Sequence, residues 1–435
     1  VLGEIRAVTV SVADLDAARA LYEGLLGMAC RAEWRVAETD AGCARRWDLP
    51  PGTGAECVFL EQPPARAGAV RLVRFTPAPG PCATEGARPY DHGYVKNLDF
   101  AADDVAAVHA RLAAAGQRFL SPPVTYPLPW GEGVTATEAH LPTPDGVKIA
   151  LISQKGAPRI AFGQGGVRGG VTEVAAATQI VPSYDGAVAF YCQALDCVPA
   201  VETVLDSPAL VAALRLPPLT RLRACFIGGP QAVGGKIGLV AYEGPGVADA
   251  ATLRARARPP FRGAVMLTFE TSSVDHAHAR ALAHGATEVS PPADADIPPF
   301  GRCRASSVDS PEGILLELIE PDPPTAGAFV PVLPAAALPA GSMRGVTAGG
   351  RRWLLANLEG RLFAWRDRCP HLGGPLSAGA VRGNLAVCPW HGWQVDLTSG
   401  RVRGAPGMRT EACPVRLLEG EICLAPPAAG ARGTP

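Results

Sequence analysis

Thr9-Val10-Ser11-Val12-Ala13-Asp14-Leu15-Asp16-Ala17-Ala18-Arg19-Ala20-Leu21-Tyr22 has a counterpart 169 positions later. There the chain reads Thr178-Gln179-Ile180-Val181-Pro182-Ser183-Tyr184-Asp185-Gly186-Ala187-Val188-Ala189-Phe190-Tyr191. The same offset relates Phe100–Val105 and Gly116 to Phe269–Val274 and Gly285, so the chain contains a long internal repeat. Asp145-Gly146 and Glu312-Gly313 lie 167 apart, so the second copy has lost two loop residues. Each unit starts with a short alternating strand and a turn containing Asp. A helix follows, with apolar positions at Leu15, Ala18, Leu21/Tyr22 and Leu25/Leu26. Further strands come after it, split by Gly/Pro turns. Two such units fit in each copy, which predicts four βαβββ modules and an α+β fold.

Val12-Ala13-Asp14-Leu15-Asp16 with Tyr22 and Leu26-Gly27 gives this pattern its most recognisable face. Pro129-Trp130-Gly131 ahead of Thr143-Pro144-Asp145-Gly146, and Ser310-Pro311-Glu312-Gly313 ahead of Leu316-Glu317-Leu318, add to it. The chain here resembles the vicinal oxygen chelate family of glyoxalases, bleomycin-resistance proteins and extradiol dioxygenases. The resemblance implies two β-cup domains, at residues 1–155 and 168–322, each curling paired modules around a ligand cavity. A Gly/Ala/Pro-rich linker at 156–170 joins the copies, and a Pro/Ala-rich one at 321–339 leads onward.

Cys369-Pro370-His371 is followed, after sixteen residues, by Cys388-Pro389-Trp390-His391. Together with the glycines of Leu372-Gly373-Gly374 and Gly392-Trp393, this resembles the Rieske [2Fe–2S] proteins. In that family two Cys hold one iron and two His hold the other. Neutral imidazoles in place of two thiolates raise the potential to roughly −150 to +300 mV, against about −400 mV for all-Cys plant-type clusters. The implied domain spans 329–426 and is all-β, with strands at Arg351–Leu355 and Leu362–Trp365, a covering loop at Gly404-Ala405-Pro406, and a disordered tail at 427–435. Zinc also accepts two Cys and two His, but zinc-finger His ligands pair with each other rather than one with each Cys. The respiratory members of the family carry an extra Cys in each cluster loop. Those positions lack Cys here, which implies the ferredoxin and oxygenase type and the lower part of the potential range.

Forty basic against forty-one acidic side chains in 435 residues leave a net charge of −1, which argues against nucleic-acid binding by bulk charge. No run reaches the ~18 apolar residues of a membrane helix. Val1-Leu2-Gly3-Glu4-Ile5-Arg6 shows no signal-peptide pattern. Ten of the twelve Cys are scattered without framework spacing, as reduced thiols are. The expectation is a cytoplasmic protein. Modules of this fold can pair across subunits, so an oligomer stays open, although four modules in one chain can satisfy one another.

Carried over residue by residue, the family's His/His/Glu metal site falls on Ala7 and Ala176, on Asn97 and Met266, and on Ala150 and Glu317. Ala and Met supply no ligand set for a hard cation, so a mononuclear Fe(II) finds no support at these positions. Glu317 is a candidate cavity base or a leftover pointing into a wet cup. Glu138 and His140 share one strand face by period two. The resemblance to extradiol enzymes makes His140 a candidate acid/base, against the plainer reading of a half-exposed strand histidine. His92 joins His140 at a metal only in another strand register. His109, His276, His278 and His284 fall on helix patterns and read as surface residues, and Tyr126, Trp130 and Phe300 as core.

The candidate catalytic residues are therefore His140, Glu138 and Glu317, and the cluster ligands Cys369, His371, Cys388 and His391. The first function they suggest is an iron–sulfur oxidoreductase or oxygenase acting on a small aromatic or quinone-like molecule. Its electrons come from a partner reductase or ferredoxin, since no GxGxxG motif stands between a strand and a helix. Two alternatives stay open: a ligand-binding electron carrier, and a metal-free chelate-fold enzyme with a redox-sensing cluster.

Overall fold

The computed structural model describes residues 2–62, 65, 67–156, 169–229, 234–322, 329–418 and 420–426. Most of the 156–170 linker, residues 323–328 and the expected tail lie outside them, as does the side chain of Pro406. The chain divides into two compact units, the first ending at Pro321 and the second starting again at Asp322.

Four modules build the first unit. Module one has β1 (Leu2–Ser11), α1 (Leu15–Arg19) running into a π-turn, β2 (Ala29–Val36), α2 (Ala41–Arg46), β3 (Gly54–Glu61) and β4 (Ala69–Thr76). Module two has β5 (Tyr94–Ala102), α3 (Val105–Ala114), β6 (Val124–Pro127), β7 (Thr135–Pro142) and β8 (Lys148–Lys155). Module three has β9 (Val171–Ile180), α4 (Tyr184–Leu195), β10 (Val198–Leu205), α5 (Pro208–Ala213), β11 (Arg221–Gly228) and β12 (Lys236–Glu243). Module four has β13 (Gly263–Thr271), α6 (Val274–Ala283), β14 (Thr287–Ile297), β15 (Gly301–Asp309) and β16 (Leu315–Pro321).

The repeated turn residue is a helix cap in every module. Asp14, Asp104, Ser183 and Ser273 accept the backbone N–H of Ala17, Ala107, Gly186 and His276, each three residues on. Such caps contribute about 1 kcal/mol apiece. The shared Asp-Gly and Glu-Gly turns are also alike: Gly146 and Gly313 sit at φ +84° and +89°, where a Cβ is strained. Behind the strands, Leu98, Phe100, Leu267 and Phe269 pack with Tyr22, Leu112, Tyr191 and Val274 into the main core.

The pairing of modules corrects the expected domains. β1 pairs antiparallel with β13, so module one joins module four. β5 pairs antiparallel with β9, so module two joins module three. A first cup runs β14-β15-β16-β13-β1-β4-β3-β2, and a second runs β6-β7-β8-β5-β9-β12-β11-β10. The two meet where Ala264 of β13 pairs with Val95 of β5. The cups are thus not residues 1–155 and 168–322; each takes one module from either copy. All four first strands carry the same period-two pattern, so the repeat itself is silent on which of them pair.

The second unit is built of strands. They are β17 (Val330–Pro334), β18 (Ser342–Ala348), β19 (Arg351–Leu358), β20 (Arg361–Arg366), β21 (Ala380–Arg382), β22 (Leu385–Val387), β23 (Gln394–Asp396), β24 (Arg401–Val402), β25 (Ala405–Arg409), β26 (Val415–Leu418) and β27 (Glu421–Leu424). They form three sheets: β17-β27-β26, β18-β19-β20 and β21-β22-β23-β24-β25. Trp353, wholly buried, anchors one core, and its Nε1 donates to the Ala348 carbonyl at 3.0 Å. Asp367, also wholly buried, holds Arg352 at 3.0 Å and accepts the Ser377 backbone N–H at 2.7 Å. That pair ties β19 to the loop that follows Cys369.

Candidate functional site

Both ligand pairs of the second unit lie on tight loops closed by their own backbone. The Cys369 N–H donates to Gly374 O at 2.7 Å, and the Gly373 N–H returns to Cys369 O at 2.8 Å. In the other loop the Cys388 N–H donates to Trp393 O at 2.7 Å, and the Gly392 N–H to Cys388 O at 3.0 Å. Cys369 and Cys388 are buried, whereas His371 and His391 are exposed. The Cys369 sulfur faces the backbone N–H groups of His371 and Leu372 and lies in contact with Cys388. The two imidazoles meet with centroids 5.1 Å apart, and the His371 ring stacks on Trp393 at 4.3 Å.

This donor set fits a [2Fe–2S] cluster. Two buried thiols with N–H donors suit one iron, and two solvent-facing imidazoles suit the other. The imidazoles meet each other and the thiols meet each other, so like donors pair with like, as suits two irons rather than a single zinc. Gly374 keeps the space open: a Cβ there would lie 3.2 Å from Cys388 Sγ and 2.9 Å from the Trp390 ring. No cysteine is joined in a disulfide, so none braces the loops.

Glu317 stands in the first cup. One cross-strand row reads Ser307, Glu317, Thr268, Ala7, Ala69. Arg71 donates to Glu317 Oε2 from both terminal nitrogens at 3.0 Å, and Thr268 Oγ1 donates to it at 2.8 Å. On the other oxygen, Arg46 Nε donates at 3.0 Å and Trp47 Nε1 at 3.1 Å. Burial alone raises a carboxyl pKa, but here the Arg71 and Arg46 charges outweigh it and hold Glu317 at about 2. Neither expectation for this residue survives. It is no base, because both oxygens are taken by cations and donors, and it is no leftover in a wet cup, because it is wholly buried. The side chains of Arg71, Arg46 and Trp47 occupy the middle of this cup.

The second cup differs at every one of these positions except that Ala176 matches Ala7. The matching row reads His140, Ala150, Asp99, Ala176, Lys236. The carboxylate has moved one strand over, from the Glu317 position to Asp99, and His140 replaces Ser307. One row along are Pro142, Lys148, Asn97 and Thr178, and one row the other way are Glu138 and Ile152. The strand face thus brings His140, Glu138 and Asp99 together and leaves Glu317 in the other cup.

His140 is buried rather than half-exposed, and its Nε2 lies 3.0 Å from Glu138 Oε2. The Tyr126 hydroxyl donates to the other Glu138 oxygen. His140 Nδ1 has no hydrogen-bond partner among the described residues. Burial, opposed by a hydrogen bond from Thr178 and helped by the Glu138 charge, lifts Asp99 to about 7. Burial, with help from Arg215, brings Lys148 down to about 8. Lys96, buried at a bulge, donates to Pro89 O at 2.9 Å and to the Tyr242 hydroxyl.

Asp99 and Lys148 escaped the sequence reading. The metal position was carried onto Asn97, while the carboxyl stands two residues on, on the same strand face. Arg71, Arg46 and Trp47 escaped that reading as well, although a charge inside Val70-Arg71-Leu72-Val73 marks a buried pair. His278 corrects the surface reading: it is buried, with Nε2 2.9 Å from Glu288. His92 forms a bridge with Thr252 ahead of β5 and stands outside the His140 row.

Residues 328–418 match the family model of the Rieske [2Fe-2S] domain. Residues 4–151 match that of the Glyoxalase/Bleomycin resistance protein/Dioxygenase superfamily. The chain therefore carries a Rieske domain, whose cofactor is a [2Fe–2S] cluster, behind a domain of the glyoxalase superfamily. Among curated relatives, the 4beta-methylsterol monooxygenase of Methylococcus capsulatus is 40% identical over 94 residues, 19% of this chain and 25% of that protein. The ferredoxin component of the naphthalene 1,2-dioxygenase system of Pseudomonas aeruginosa is 33% identical over 69 residues, 16% of this chain and 66% of that protein. This chain thus spans a quarter of the length of the monooxygenase it matches. Among solved structures, glyoxalase I from Zea mays aligns at a TM-score of 0.47 and 14% identity, covering 74% of this chain and 92% of that one. No helix among the described residues is long and apolar enough to cross a membrane.

Proposed function

We propose that this chain is a Rieske-type oxidoreductase acting on a small aromatic or quinone-like molecule held in the second cup. When bound, the cluster takes up and gives off one electron at a time. The chain's own residues supply the rest. Exposed His371 and His391 would hold one iron where electrons could enter and leave, and buried Cys369 and Cys388 would hold the other. In the cup, the hydrogen-bonded chain Tyr126–Glu138–His140 shares a strand face with Asp99, two strands away, so a molecule gaining electrons there has a proton source. Carrying both parts on one chain raises the effective concentration of each for the other.

The observation that carries this reading is the contrast between the cups. Glu317 is clamped by two cations in one, whereas in the row His140–Ala150–Asp99 of the other the Asp99 carboxyl has a hydrogen bond from Thr178 and no cation paired with it among the described residues. Electrons reach the cluster from a separate reductase or ferredoxin. Iron analysis with substrate turnover tests the reading. Two irons per chain and product formed with a reductase support it. A third iron points to a mononuclear-iron oxygenase, and no product from any substrate sinks it.

A second reading, an electron carrier to other proteins, draws on Leu372 and Trp390. These large apolar side chains beside the two exposed histidines are 60% and 54% exposed, as suits a docking surface. Electron transfer to a separate oxygenase without any small-molecule turnover favours it.

A further inference from the structure

A cleft of ≈ 350 Å³ opens beside the second cup. Its volume is at the lower end of small-molecule pockets, enough for a single-ring ligand. Tyr94, Leu120, Pro142 and Leu214 give it apolar walls. The charged residues of its lining are Arg88, Lys148 and Arg215, with no carboxylate among them.

These cations differ in how they are satisfied. Arg88 is closed off by Asp91 at 3.0 Å and by Asp249 at 2.5 Å. Arg215 makes one long hydrogen bond, 3.5 Å to Leu120 O. The Lys148 side chain makes no hydrogen bond or ion pair with any described residue, although its backbone pairs within the sheet. It is half-buried on β8, and the like charge of Arg215, which lines the same cleft, acts on it. Two like charges in a partly desolvated cleft repel each other, and an anion between them relieves both the repulsion and the lost hydration. In the first cup the carboxylate of Glu317 serves Arg71 and Arg46 in this way. The cleft beside the second cup has cations in its lining and no carboxylate there to serve them.

We propose that this cleft binds a small aromatic carboxylate, with the ring between Tyr94, Pro142 and Leu214 and the charge between Lys148 and Arg215. The proposal rests on the reading that the second cup is the one that holds a small molecule. By strand register Lys148 is one row from His140 and Asp99, about 7 Å along the strand. Lys148 is thus the lining residue that links the cleft to the row of His140 and Asp99.

Calorimetric titration of the full chain, cluster oxidised, with benzoate and with its neutral counterpart benzamide tests this. Benzoate is expected to bind at least about tenfold tighter than benzamide. Lys148→Met, which keeps the aliphatic stem, is expected to abolish that preference, and Lys148→Arg to retain most of it. Arg215→Asn, chosen because φ is +56° there, is expected to weaken benzoate alone. Equal binding of the two probes, no saturable benzoate binding, or a Lys148→Met variant with the wild-type preference overturns the proposal. Thermal melts of each variant show whether it has folded. No electron is transferred in this titration. A protein that binds benzoate but turns nothing over contradicts the oxidoreductase reading and leaves the anion site standing, and the reverse result does the opposite.

Discussion

Arg71 and Glu317 face each other across the first cup with both side chains wholly buried, the guanidinium donating twice to one carboxylate oxygen at 3.0 Å. Removing one partner leaves the other as an uncompensated charge in the protein interior. Arg71→Met is expected to cost about 3–5 kcal/mol, and replacing both by apolar residues to recover much of it. Urea denaturation of the single and double variants measures this.

The same carboxylate sets an acid limit. Glu317 has a folded pKa of about 2, below the ~4.3 of an unfolded Glu. A depressed pKa contributes stability that is complete above the unfolded value and is lost as pH falls toward the folded one. Unfolding free energy is expected to drop between about pH 4.3 and pH 2, and Glu317→Gln, destabilised throughout, to drop less steeply over that window. Denaturation curves across this range provide the check.

Asp99 works in the opposite direction. Its folded pKa of about 7 lies above the ~3.9 of an unfolded Asp. Between those values the folded state holds a proton that the unfolded state has lost, so stability falls as pH rises. Asp99→Asn removes this dependence. The variant is expected to gain stability over the wild type at pH 8 and little at pH 4, as denaturant midpoints at the two pH values would show.

Gly374 tests the cluster loops. A Cβ there meets Trp390 at 2.9 Å and Cys388 Sγ at 3.2 Å. Gly374→Ala is expected to lower iron and sulfide content, or to change the visible spectrum, while Gly392→Ala, with nothing within 4 Å of its Cβ, pays only the strain of its φ of +70°. The midpoint potential of the wild type is expected in the lower part of the roughly −150 to +300 mV range, since no disulfide braces the loops.

The modules and the cluster ligands were legible because they rest on local signals. A capping Asp or Ser before a helix, a Gly at φ near +85°, and Cys and His at fixed spacing all act within a few residues. The pairing of β1 with β13 and of β5 with β9 was not legible, because it depends on long-range contacts between strands of equal pattern. The same holds for Glu317. Its fate was decided by Arg71, Arg46 and Trp47, which lie more than two hundred positions earlier in the sequence. Alternation alone placed Glu138 and His140 on one face, and only the neighbouring strands brought Asp99 and Lys148 to it.

The oxidoreductase account is tested most directly by anaerobic stopped-flow reoxidation of the reduced full chain by a series of quinones. The account predicts a rate that saturates with quinone concentration and falls about 100-fold in His140→Gln, whose cluster is still reduced as in the wild type. A rate that rises linearly with quinone and is the same in His140→Gln would contradict it, since electrons would then leave by collision at the exposed edges of His371 and His391.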